Sequence, residues 1–112
     1  MEFWGAKVEP KRDFDGDVSE GEQVHITQAS LDFEGDKKDR ADLFVSVGGR
    51  TKYFIGSLSQ ENTCHMKLDL IFEEKFVLSH TLNSGSVHFT GYTTPSVKSL
   101  VTDQGTSGTS QK

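Results

Sequence analysis

A single cysteine, two prolines and one tryptophan occur in 112 residues, and hydrophobic side chains make up only 33%. Lone Cys64 has no partner for an internal disulfide and no second thiol for a metal knuckle, so its expected role is that of a small hydrophobe. The apolar share falls below the 45–50% or so of ordinary globular domains, a count that includes glycine, so part of the chain must be solvated connection or tail. No stretch is long and apolar enough to span a membrane as a helix, and no membrane partner is expected. The opening MEFWG lacks a basic n-region and an apolar run, so it is expected to open a cytosolic or nuclear chain rather than a secretory signal. Basic residues are outnumbered: 12 Lys and Arg face 17 Asp and Glu, for a formal charge of −5. That balance argues against direct DNA binding and suits a basic partner.

Helical periodicity is missing as well. What the chain has instead is short runs of period two, separated by Gly, Asp, Asn and Ser. Phe3 to Val8 reads as a first strand with Trp4, Ala6 and Val8 on one face, and it ends at Pro10. EPKRDFDGDVSEGE reads as a hydrophilic connection. Gln23 to Leu31 alternates with Val24 and Ile26 on one side and Gln23, His25 and Thr27 on the other. After a second charged loop, DFEGDKKDR, the run Ala41 to Val47 sends Ala41, Leu43, Val45 and Val47 to a common side. Gly48 and Gly49 then turn the chain into Thr51 to Leu58, a hairpin. Met66, Leu68 and Leu70 share one face of the next run, with His65, Lys67 and Asp69 opposite. Phe76 and Leu78 open another, and Asn83 to Gly85 turns into Val87, Phe89 and Gly91, with Ser86, His88 and Thr90 opposite. About seven or eight such strands predict an all-β antiparallel sandwich or jelly roll. Trp4 then needs a covering layer, from its own second sheet or from a neighbouring subunit. Residues 1–95 form the expected core domain. Residues 96–112, rich in Ser, Thr and Gly, form an expected flexible tail.

The two charged loops carry the strongest partner signal. Asp13, Asp15, Asp17, Glu20 and Glu22 cluster in the first, and Asp32, Glu34, Asp36 and Asp39 in the second, offset by Lys11, Arg12, Lys37, Lys38 and Arg40. Within one subunit these are ordinary solvated connections. Repeated around a ring they would sum into an anionic rim able to steer a basic protein.

MEFWG, VHITQASL (24–31), IGSLS (55–59), LDLIFEEKFVLSHT (68–81) and SVHFTGYTTP (86–95) carry a resemblance to a known family. Over roughly residues 1 to 95 the chain resembles the N-terminal, nucleoplasmin-like domain of the plant-specific nucleolar histone deacetylases. It is also similar to the domain that heads some plant nuclear FK506-binding prolyl isomerases, and more distantly to animal nucleoplasmin. The resemblance implies an eight-stranded jelly roll that assembles as a homo-oligomeric ring, a pentamer rather than a tetramer. It further implies binding of core histones as a chaperone, chromatin regulation by transcriptional repression, and a place in the nucleus and nucleolus. Mixed rings with longer relatives are a further implied partner. Two alternatives stand beside this: hydrolysis of acetyl-lysine on core histones, and a pure oligomerisation module.

The family name brings a catalytic histidine and aspartate that match His25 and Asp69. Beyond these two, the residues offer little chemistry. A hydrolytic zinc needs about three protein ligands with an open position. His65 stands four strand residues from Asp69, roughly 13 Å along an extended chain, and His88 joins them only through cross-strand pairing. No metal and no cofactor is expected, nor autonomous catalysis. Ser79 and His80 are adjacent in a strand and point to opposite faces, which excludes a Ser–His pair. His80, on the side of Phe76 and Leu78, reads as a satisfied, partly buried histidine. GGR at 48–50 is turn chemistry rather than a phosphate cradle.

Overall fold

Apolar residues at every second position can all be buried only if each strand lays one face against a second layer, and the computed structural model, which describes residues 1–32 and 39–96, does this with eight strands. They are β1 (Glu2–Val8), β2 (Phe14–Gly16), β3 (Glu22–Asp32), β4 (Arg40–Val47), β5 (Lys52–Ser59), β6 (His65–Phe72), β7 (Phe76–His80) and β8 (Ser86–Pro95). Two four-stranded sheets have the orders β1-β8-β3-β6 and β2-β7-β4-β5. Every pairing is antiparallel. This is the jelly-roll arrangement expected from the periodicity.

The core lies between the sheets. Val8, Val24, Ile26, Ala29, Val87 and Phe89 from the first sheet meet Leu43, Val45, Leu58, Phe76 and Leu78 from the second, all of them buried. Each large side chain so enclosed stabilises the fold by about 1.5–3 kcal/mol relative to exposure. Trp4 finds its cover within its own chain: its ring meets Phe14 edge-on at 6.1 Å and Phe76 at 6.0 Å, and Phe76 stacks on Phe72 at 4.3 Å.

Four expectations are corrected. The first charged connection is not structureless: Phe14 to Gly16 forms β2 on the edge of the second sheet, paired with Phe76 to Leu78. A lone Phe among charges carries no period, yet it is the residue that closes over Trp4. Secondly, alternation along β3 does not run unbroken. The register shifts between Ile26 and Gln28: Thr27 is an extra residue against β8 and stands opposite two residues of β6, and Ala29 turns into the core on the same side as Ile26. Thirdly, Cys64 is exposed in the connection before β6, where its carbonyl accepts the Leu31 N–H at 2.8 Å. Backbone pairing, not burial of a thiol, fixes that loop. Ser86 also departs from its expected polar face: it is buried, with its hydroxyl 3.3 Å from Glu9 Oε1.

His80 is held as expected of a satisfied histidine. The Leu82 N–H donates to Nδ1 at 3.1 Å, which leaves Nε2 to carry the hydrogen donated to the Val8 carbonyl at 2.9 Å. Of the expected tail, Ser96 is buried and its N–H bonds Gly21 O at 2.9 Å; the rest lies outside the described residues.

Two glycines are required by close approach. A Cβ on Gly91 would stand 1.9 Å from the His25 carbonyl oxygen, and one on Gly16 would stand 2.3 Å from the Phe76 ring. Ring displacement at Gly16→Ala is expected to lower stability by about 1–3 kcal/mol. At Gly91→Ala the obstacle is backbone, so the loss should be larger. Urea unfolding of both variants checks the order; a Gly91→Ala protein as stable as its parent would contradict the β3–β8 approach described.

Candidate functional site

The outward face of the first sheet brings together residues far apart in sequence. β8 and β3 place Tyr92 directly beside His25, and β6 places Ile71 on the other side of His25. Their rings lie 4.8 Å apart between centroids. The Tyr92 hydroxyl lies 2.6 Å from His25 Nδ1, and His25 Nε2 lies 2.6 Å from Asp69 Oδ1. A carboxylate only accepts, so Nε2 carries hydrogen and donates; in the neutral ring Nδ1 then accepts from the tyrosine O–H. The bulge at Thr27 shapes this geometry. It leaves Thr27 facing Leu68 and Asp69, which brings the Asp69 carboxylate back toward His25, while the Thr27 hydroxyl donates to the Thr90 carbonyl at 3.3 Å.

His25 and Asp69, the pair named by resemblance, are therefore in contact. Tyr92 is the member sequence reasoning missed, although SVHFTGYTTP contains it. Both ring nitrogens of His25 are engaged, so neither is free to take a substrate proton or a metal without losing a bond. Asp69 is the open end: its side chain is 85% accessible against 19% for His25. His65 and His88 do not join them. His65 pairs with Ser30, and His88 sits in the same outer row, 3.2 Å from Asp32 Oδ2. Among the described residues no three His, Cys, Asp or Glu side chains converge as a metal site.

The acidic residues separate into two groups. β3 runs the length of the sandwich, about 33 Å at strand rise, so the loop that enters it and the loop that leaves it lie at opposite ends. Asp17, Glu20 and Glu22 are at the entry end, exposed. Asp32 and Asp39 are at the exit end, also exposed, together with Asp13, which precedes β2. Asp15 lies within β2 itself. Glu34 and Asp36 lie outside the described residues. At the entry end Asp15, Asp17 and Glu74 line an open cleft of about 740 Å³ with Gly48, Gly49 and Lys75. Glu74 was not among the expected acids; it stands in the β6–β7 turn, and the pairing of β2 with β7 places it in the same cleft as Asp17. Its nearest cation is Arg50, at 3.9 Å.

Eight antiparallel strands in jelly-roll order, with open acidic ends and no helix among the described residues, define a β-sandwich module of the nucleoplasmin type. Residues 3–94 match the nucleoplasmin-like domain family, and the chain belongs to it. It is 39% identical over 99 residues to histone deacetylase HDT1 of Arabidopsis thaliana, covering 88% of this chain and 40% of that protein. Identity to histone deacetylase HDT3 of Zea mays is 41% over 92 residues, 82% of this chain and 30% of the relative. The chain thus spans well under half the length of these relatives. Among solved structures, the NLP core of Drosophila, whose crystal structure bears on pentamer formation and histone binding in that protein, superposes with a TM-score of 0.73 at 22% identity, over 84% of this chain and 99% of that one.

The cluster predicts an observable tautomer. Long-range proton–nitrogen spectra should show neutral His25 protonated at Nε2, and Tyr92→Phe should shift the Nδ1 resonance while lowering stability by about 1 kcal/mol. An Nδ1–H tautomer in the parent chain would contradict the geometry.

Proposed function

We propose that this chain is a histone-binding, chaperone-type module that works as a homo-oligomeric ring, a pentamer rather than a tetramer, in the nucleus and nucleolus. The observation that carries the reading is the nucleoplasmin-like fold with exposed carboxylates at the ends of its sheets. A histone is strongly basic, and distributed carboxylates steer such a partner by long-range attraction without a shaped pocket. One subunit offers a modest patch; several copies around an axis multiply the same charges into two anionic openings, one at each end of the strands. Chromatin regulation by transcriptional repression follows as the role of such a module, and mixed rings with longer relatives use the same subunit contacts.

The test is titration of core histones against the purified chain at several salt concentrations. Binding should weaken steeply as salt rises through the physiological range. Replacing Asp17, Glu20 and Glu74 with their amides should weaken binding about tenfold at low salt, from three charges each contributing a rim-type interaction. No interaction at low salt would leave a pure oligomerisation module.

A second reading, acetyl-lysine hydrolysis, is favoured by one observation, the 2.6 Å contact between His25 and Asp69. If the pair is catalytic, His25→Ala and Asp69→Ala should each abolish deacetylation of an acetylated histone peptide while leaving molecular mass unchanged. Activity indifferent to both changes ends this reading.

A further inference from the structure

Among the described residues the sandwich leaves two apolar patches uncovered, on opposite sides. On the outer face of the first sheet, Phe3, Tyr92, His25 and Ile71 form one cross-strand row, each in register with the next. Phe3 is 80% exposed and Ile71 52%. On the outer face of the second sheet, Phe44 and Phe54 pair across β4 and β5 with rings 5.7 Å apart, and Phe54 is 61% exposed. Lys52 lies over the Phe44 ring at 5.8 Å.

We propose that these two faces are the two halves of one subunit contact: the Phe3–Tyr92–His25–Ile71 row of one copy docks on the Phe44–Phe54 patch of the next, with Asp69 facing Lys52. The proposal rests on the ring reading above and names its interface. Two different patches of a protomer make a head-to-tail contact, which closes into a ring when the rotation between neighbours divides a full turn and otherwise runs on as a filament. Self-pairing of either face would leave Asp69 without Lys52, since the two lie on different faces of the protomer. Charge order points the same way. From the β3 entry end to its exit end, the first face runs Asp69 then Lys67, whereas the second runs Lys52 then Asp42. With strands along the ring axis, neighbours keep the same end up, so Asp69 meets Lys52; at the other level Lys67 meets Asp42, whose carboxylate already holds Arg40 at 3.1 Å and Ser57 at 2.7 Å.

This gives the Tyr92–His25–Asp69 cluster a task other than chemistry. Tyr92 fixes the imidazole, the imidazole fixes the exposed carboxylate, and the carboxylate meets a lysine of the neighbouring copy. His25 and Tyr92 are then positioning residues, and loss of Asp69 disables any function that needs the ring.

Disulfide capture tests the contact by proximity, because the apolar rows that flank the pair stay in place. In a Cys64→Ser background, Asp69→Cys combined with Lys52→Cys should give, on mild oxidation, a covalent ladder ending at the ring's own subunit number. Either cysteine alone should give none. Dimers from Asp69→Cys alone would show like faces meeting and overturn the proposal. In light scattering, Ile71→Lys and Phe54→Lys should each reduce the parent mass to that of a monomer with an unchanged circular dichroism spectrum. Asp69→Lys and Lys52→Asp should each weaken assembly at least tenfold, and the double swap should restore it. A parent ring whose mass survives Ile71→Lys and Phe54→Lys overturns this interface but leaves the ring standing; a monomeric parent overturns the ring itself.

Discussion

The structure turns on a mismatch of spacing inside β3. Four of its side chains must enter the core, Val24, Ile26, Ala29 and Leu31, and the step from 26 to 29 is odd. A regular strand would send the last two to solvent. The extra residue at Thr27 restores them, and because β3 pairs with both β8 and β6, the adjustment reaches three strands at once. Gly91 is its counterpart on β8. With no side chain there, β8 lies against the His25 carbonyl closely enough for the bulge to fit. The same event arranges the outer surface, since it sets His25 between Tyr92 and Ile71 and swings Asp69 toward the ring.

A second constraint joins the two sheets. Trp4 belongs to the first and is enclosed by Phe14 and Phe76 of the second, while Phe76 stacks on Phe72 of the first. These aromatics form a bridge through one side of the sandwich, and Gly16 gives Phe76 its space. A tryptophan four residues from the N-terminus is thereby tied down by chain that follows it closely. β2 has only three residues because its work is done by one ring and one glycine.

Seven of the eight strands were legible in the sequence, because each carries two or more apolar residues at period two, as in Phe76 and Leu78, Ala41, Leu43 and Val45, or Met66, Leu68 and Leu70. β2 was not, since one Phe among aspartates has no period to detect. Two of the three residues of the outer cluster, His25 and Asp69, were nominated by resemblance, while Tyr92 required knowledge of which strand lies beside β3. The acids were visible as loops but not as places. Their division between two ends follows from β3 being a full-length strand, and the neighbourhood of Glu74 and Asp17 follows from the β2–β7 pairing. Local pattern encodes which residues are buried; pairing across the sheet decides which exposed residues meet.

Sheet edges bear on how such a module associates. An open edge offers unpaired N–H and C=O groups to any other strand, and each of the four edges here is blunted. β1 runs out into Glu9 and Pro10; β2 is three residues long; β5 carries an irregularity at Ile55; β6 shows solvent an alternation of His65, Lys67 and Asp69. Edge-to-edge growth is discouraged on every side. The faces are treated in the opposite way, with Phe3, Ile71 and Phe54 left in water where a polar residue would serve a monomer better. Closed edges together with greasy faces direct association to contacts between sheets, and since the two faces differ, a contact between unlike faces repeats head to tail in like-oriented copies rather than ending at a symmetric pair.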